Sequence, residues 1–151
     1  MPSEPPAEIK AAIDKALHAF NSKDAAMFDS AFGGDVVIVD GMAPYRWTGP
    51  NAQGRWYADA EKWAHHLEVT DENIAYDKIV HSEVVGANAY VVLSATLSFA
   101  LKGQRGSRRG ILTFTLAKRG RELKIESQTW GVWPDPLSSE SNLLALLREV
   151  P

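Results

Sequence analysis

Ile9, Ile13, Leu17 and Phe20 recur three or four positions apart between Glu8 and Asn21, the spacing that aligns side chains along one stripe of a helix. Asn21-Ser-Lys-Asp24 interrupts that stripe, and Asp24 is placed to cap a short second helix carrying Met27, Phe28 and Phe32. Gly33-Gly34 punctuates the chain, after which Val36-Val-Ile-Val39 reads as a buried strand ending in Asp40-Gly41. Beyond a loop with Pro44, Tyr45 and Trp47, Gly49 supplies a cap and Pro50 a first helical position. The third helix is predicted to run to about Glu68, with Trp56, Ala60, Trp63 and Leu67 on one aromatic-rich face.

The period then changes to two. Residues 75–85 and 87–101 alternate, and in the second run Val91, Leu93, Ala95, Leu97, Phe99 and Leu101 share one face. The opposite face carries Tyr90, Val92, Ser94, Thr96, Ser98 and Ala100. A run this long exceeds the usual strand of roughly 3–10 residues, so a bent or bulged strand is expected. Gly103 to Gly106 turns the chain, Gly110 to Leu116 alternates again, Arg119-Gly-Arg121 makes another turn, and a last strand spans Leu123 to about Trp133. In that strand hydrophobicity puts Ile125 inside, whereas Gln128 and Trp130 have the other parity; a bulge would admit both. The pattern is α+β: three helices in the N-terminal half covering the greasy face of a curved, mostly antiparallel sheet. Pro134-Asp-Pro136 closes the domain, and Ser139 to Val150 reads as an amphipathic tail helix. The expected organisation is a flexible segment over 1–7, one domain over 8–133 and an extension over 134–151.

Composition narrows function mainly by exclusion. The chain has 151 residues, Lys+Arg 16 against Asp+Glu 19, 45% hydrophobic residues and no cysteine. One domain of this length buries enough surface to need no staples. Thiol nucleophiles, disulfides, Cys-ligated zinc and iron–sulfur clusters are excluded. A net charge of −3 argues against bulk binding to nucleic acid or membrane. Eight basic residues from Lys102 to Lys124 are expected at two hairpin turns on opposite ends of the sheet, as protection of exposed edges. Met1-Pro-Ser-Glu-Pro-Pro6 lacks the features of a signal peptide, so a cytoplasmic location is expected. His65-His66 with Glu61 four residues before His65 is a metal-binding pattern on a helix, but nothing supplies a third ligand at a familiar spacing, so no metal and no cofactor is expected.

The order helix, helix, strand, loop, helix, long meander resembles the NTF2-like cone, in its SnoaL-like and ketosteroid-isomerase-like branch, over about residues 8 to 133. The residues carrying the likeness are Asn21-Ser-Lys-Asp24, Val36-Val-Ile-Val-Asp40, Trp47-Thr-Gly49, Arg55-Trp-Tyr57 and Thr129-Trp-Gly131. The resemblance implies a mostly apolar cavity that takes a small molecule, and it singles out Asp40. In the ketosteroid-isomerase branch an aspartate nine residues before the glycine of the third helix is the general base, and Asp40 stands so before Gly49. A carboxylate at an apolar pocket mouth has a raised pKa and can move a proton next to a carbonyl; alternatively Asp40-Gly41 is only a turn.

The oxyanion-binding tyrosine and protonated aspartic acid of that branch fall here on Ala16 and Leu112, so classical ketosteroid isomerisation is not expected. Tyr45, Tyr57 and His66 are the candidate partners of Asp40, and Trp47, Trp56, Trp63, Phe99, Leu112, Phe114, Gln128 and Trp130 the candidate ligand contacts. NTF2-like proteins commonly dimerise through the open sheet face, which implies a homodimer here. Two functions are compatible with these residues: a proton-transfer enzyme of isomerase, lyase or hydrolase type, or a non-catalytic binding module. An open cavity in which Asp40 meets a second polar group favours the first, and a plugged cone the second.

Overall fold

The computed structural model describes residues 5–133; the tail helix expected over 139–150 lies outside them. Helices α1 (Ala7–Asn21), α2 (Ala25–Ser30) and α3 (Ala52–Leu67) pack on a sheet of β1 (Phe32–Val39), β2 (Arg46–Trp47), β3 (Val69–Val85), β4 (Asn88–Leu101), β5 (Gln104–Arg119) and β6 (Glu122–Val132). The sheet order is β2-β1-β6-β5-β4-β3, antiparallel throughout except where β1 runs parallel to β6. The fold is α+β, as the pattern predicts.

The apolar stripes account for the packing. Ile9, Ile13, Ala16 and Leu17 of α1 and Trp56 of α3 are buried against Val91, Leu93, Ala95, Leu112 and Phe114. Asp24 caps α2 by accepting the Met27 N–H at 3.0 Å, which satisfies a donor that the first turn leaves without a helical partner. Asn21 ends α1 and clamps the edge strand β3: its side-chain amide donates to the Ile74 carbonyl at 2.8 Å and accepts the Ile74 N–H at 2.7 Å. A single side chain thus stands in for a neighbouring strand.

Several boundaries differ from the sequence expectation, each for a tertiary reason. Phe32 opens β1 instead of closing the second helix, and Gly33-Gly34 lies inside that strand. There the Lys124 stem and the Arg119 guanidinium occupy the space a Cβ would need, and Gly34 has φ 82°. The third helix starts at Ala52 behind a left-handed Asn51, not at Gly49-Pro50. β3 begins at Val69 in a polar stretch, where Asp71 takes φ 54° and the register with β4 shifts between Thr70 and Asn73. In β6 a shift at Glu126 separates the pairs Leu116–Ile125 and Thr115–Ser127. That bulge lets Ile125 and Gln128 both be buried, resolving their opposed parity. Arg108 and Arg109 sit within β5 and not at a turn, while Arg105, Lys118, Arg119 and Lys124 pair with Asp71, Glu8, Glu126 and Glu122.

Candidate functional site

The curved sheet and the helices enclose a cavity of about 550 Å³, within the size range of small-molecule sites. Leu17 and Phe20 of α1, Trp56, Ala60 and Trp63 of α3, and Ile74, Leu97, Leu112 and Trp130 of the sheet make its apolar wall. Trp130 reaches this position because it faces Gly110, where a Cβ would stand 2.5 Å from the indole. Four polar side chains interrupt the wall: Asp40, Glu72, Arg108 and Gln128. Tyr45 stands at the rim, 59% exposed.

Asp40 occupies the end of β1, where its backbone N–H donates to the Tyr45 carbonyl at 3.0 Å. Its Oδ1 accepts the Met42 N–H at 3.1 Å, and its Oδ2 accepts the Trp56 indole N–H at 3.2 Å. One oxygen therefore shapes the Asp-Gly turn and the other bonds an indole in the cavity wall, so a turn geometry and a place in the cavity are compatible. Burial raises the Asp40 pKa, against the lowering pull of the Met42 and Trp56 bonds, the Arg108 charge and the Gly41 N–H. Loss of hydration outweighs the donors.

Glu72 lies on β3 two residues before Ile74, on the same inward face. Burial raises its pKa, Lys23 opposes that, and the Asp40 charge adds to it. Two carboxyl groups and a guanidinium thus share one apolar cavity. Such a set can take a proton from carbon, hold an anionic oxygen and return a proton elsewhere.

Of the residues singled out from sequence, Asp40, Tyr45, Trp56, Trp63, Leu112, Gln128 and Trp130 line the cavity. Tyr57, His66, Trp47, Phe99 and Phe114 do not. Tyr57 is buried against Phe28 with ring centroids 5.2 Å apart, and burial raises its pKa, followed by the charges of Glu61, Asp24 and Glu72. Trp47 pairs with Ile38 and donates its indole N–H to Asp59 at 2.8 Å, which fixes it in the core instead of over the cavity. Phe99 belongs to a second cluster with Ala64, Val69 and Leu101, and Phe114 is fully enclosed in the main core. His66 is exposed on α3. Among the described residues no three histidine or acidic side chains gather as metal ligands, and no helix is long and apolar enough to cross a membrane.

Glu72 and Arg108 are the charged cavity residues that sequence reasoning missed. Both had a signal: Glu72 shares parity with Ile74, and Arg108 with Leu112 and Phe114. The positions of the two absent isomerase donors, Ala16 and Leu112, also line the cavity, as apolar wall.

Comparison with known proteins decides the family. The SnoaL-like domain matches residues 9–130. The chain belongs to the SnoaL-like family. Its fold is that of the wider NTF2-like superfamily. An NTF2-like superfamily protein from Salmonella enterica serovar Typhimurium superposes with a TM-score of 0.70 at 13% identity, over 89% of this chain and 94% of that one. An NTF2-like protein with a cystatin-like fold from Novosphingobium aromaticivorans gives 0.66 at 16% identity, over 93% and 86%. A ketosteroid isomerase-like protein from Erwinia carotovora atroseptica gives 0.68 at 18% identity, over 85% and 96%. At these identities the likeness to this SnoaL-like protein is one of fold. No curated protein matches the sequence significantly.

Proposed function

We propose that this SnoaL-like protein binds a small, apolar, ring-bearing metabolite and moves a proton on it, with Asp40 as general base. The observation that carries the reading is a carboxylate with raised pKa, held by two hydrogen bonds, in an open cavity of about 550 Å³. Three tryptophans in the wall suit a flat ligand. Arg108 supplies the positive charge that a developing oxyanion needs, where the tyrosine and aspartic acid of the ketosteroid-isomerase branch are replaced by Ala16 and Leu112. The open cavity favours this function over a plugged, non-catalytic cone.

Proton removal beside a carbonyl leaves a trace without knowledge of the natural substrate. α-Tetralone, a flat aromatic ketone, is incubated with the protein in heavy water and its α-deuterium followed by NMR. The wild type should accelerate exchange, and Asp40→Asn should lower the enzymatic rate about 10²–10⁴-fold, the usual worth of one general base. Equal exchange by both proteins would remove Asp40 from the role.

We also propose that two copies pair through the open sheet face. Val92, Ser94, Thr96, Thr113 and Thr115 leave that surface shallow and half-buried in the single chain, a shape suited to a two-fold contact.

A further inference from the structure

Glu72 is placed by an irregularity that a plain strand would not need. Asp71 adopts φ 54°, and the β3–β4 register shifts between Thr70 and Asn73. Bulges of this kind re-aim side chains and concentrate beside active sites, and a non-glycine residue in the left-handed region costs free energy that its surroundings must hold in place. The result is a glutamate in the wall of an apolar cavity.

The two carboxyl groups arrive from different parts of the sheet. Asp40 ends β1 and Glu72 stands near the start of β3, and in the order β2-β1-β6-β5-β4-β3 three strands separate them. Their electrostatic companions differ as well. Arg108 favours the charged form of Asp40, whereas Lys23 does so for Glu72. Arg108 lines the same cavity, so a ligand filling it can set a carbonyl oxygen against that cation and a different atom against Glu72.

From this arrangement, and resting on the proton-transfer reading of Asp40, we propose that Glu72 is the acid of an elimination, so that the substrate is an apolar β-hydroxy ketone. Asp40 takes the proton from the carbon between the carbonyl and the carbinol, and the C–H electron pair becomes an enolate whose oxygen rests against Arg108. The enolate then re-forms the carbonyl, its electrons build the carbon–carbon double bond, and the β C–O bond breaks. Glu72 gives its proton to the departing hydroxyl. The products are an enone and water, with Asp40 protonated and Glu72 ionised, and one proton returning from Asp40 to Glu72 through solvent restores the site. Burial and the Asp40 charge both raise the Glu72 pKa, against the pull of Lys23, the direction that a proton donor needs.

The probe is the aromatic β-hydroxy ketone formed by aldol addition of acetone to benzaldehyde. Enone formation is followed by ultraviolet absorbance, and deuterium in the recovered hydroxy ketone by NMR in heavy water. The wild type should form enone. Glu72→Gln should lower enone formation about 10²–10⁴-fold while the recovered substrate carries more deuterium, because the enolate has lost its outlet and returns. Continued exchange also shows that the variant is folded. Asp40→Asn should lose both signals. Undiminished enone formation by Glu72→Gln, a parallel loss of both signals in that variant, or wild-type exchange without enone would overturn the role of Glu72 alone. Absence of both signals in the wild type would overturn the Asp40 reading beneath it.

Discussion

Asp40 carries a conflict that most surface aspartates avoid. It is taken out of water by the cavity, yet it keeps two donors and the field of Arg108. Its folded pKa lies above the ordinary value of 3.8, so between the two values the folded protein binds the proton that the unfolded chain has already released. Stability contributed by this group is therefore largest at low pH and falls as pH rises through that window. Asparagine at position 40 does not titrate there. The melting temperature of Asp40→Asn minus that of the wild type should thus increase as pH rises above 3.8, whatever fixed offset the lost indole bond introduces. Parallel melting curves across pH would show that Asp40 is not strained in this way. The residues that carry this conflict were partly legible in the sequence. Asp40 and Gln128 stood out by position and parity, but Glu72 sits in a polar run, and Arg108 was hidden among basic residues of the hairpins. Strand parity read through those runs reaches both, provided the bulges beside them are known.

At the scale of elements, the helices follow directly from their apolar stripes, and the errors gather where one element borrows stability from another. Gly33-Gly34 reads as a break until Arg119 and Lys124 cover it. Trp47 looks like a loop tryptophan until a two-residue strand and Asp59 bury it. The polar start of β3 is held by the Asn21 clamp on Ile74, next to the bulge that carries Glu72. Asn21→Ala leaves both Ile74 backbone groups without that partner, and unmet groups of this kind cost about 1–3 kcal/mol. Urea unfolding should show a loss of that order with little change in the slope. A loss below about 0.5 kcal/mol, the range of ordinary surface changes, would mean that solvent replaces the clamp.

For the whole molecule, the cone leaves one sheet face to the helices and the cavity and the other to solvent. On that second face Thr115 and Ser127 join hydroxyls at 2.5 Å, with Val92 and Thr113 beside them across the β4–β5 pairing. Sedimentation at micromolar concentration should give the mass of two chains, and Thr113→Arg, which puts a charge in the middle of the face, should give one. A wild type that sediments as a single chain would refute the pairing. The overall fold was legible because order of elements and change of period are long-range patterns that survive local errors. The detailed cavity was not, because its polar groups come from three different strands and the loop after a fourth, and meet only after the sheet curves.

The parallel pairing of β1 with β6 has a consequence in time. Ser30 at the foot of β1 is bound by the Lys124 ammonium at 2.6 Å, 94 positions away, and Asp40 sits at the top of the same strand. During synthesis β1 can pair early with β2, but it must wait for nearly the whole domain to emerge before its second neighbour, β6, exists. Such distant closure makes for slow folding. It also means that a ribosome-bound fragment lacking the last strand exposes an unmatched edge beside Asp40 and the cavity.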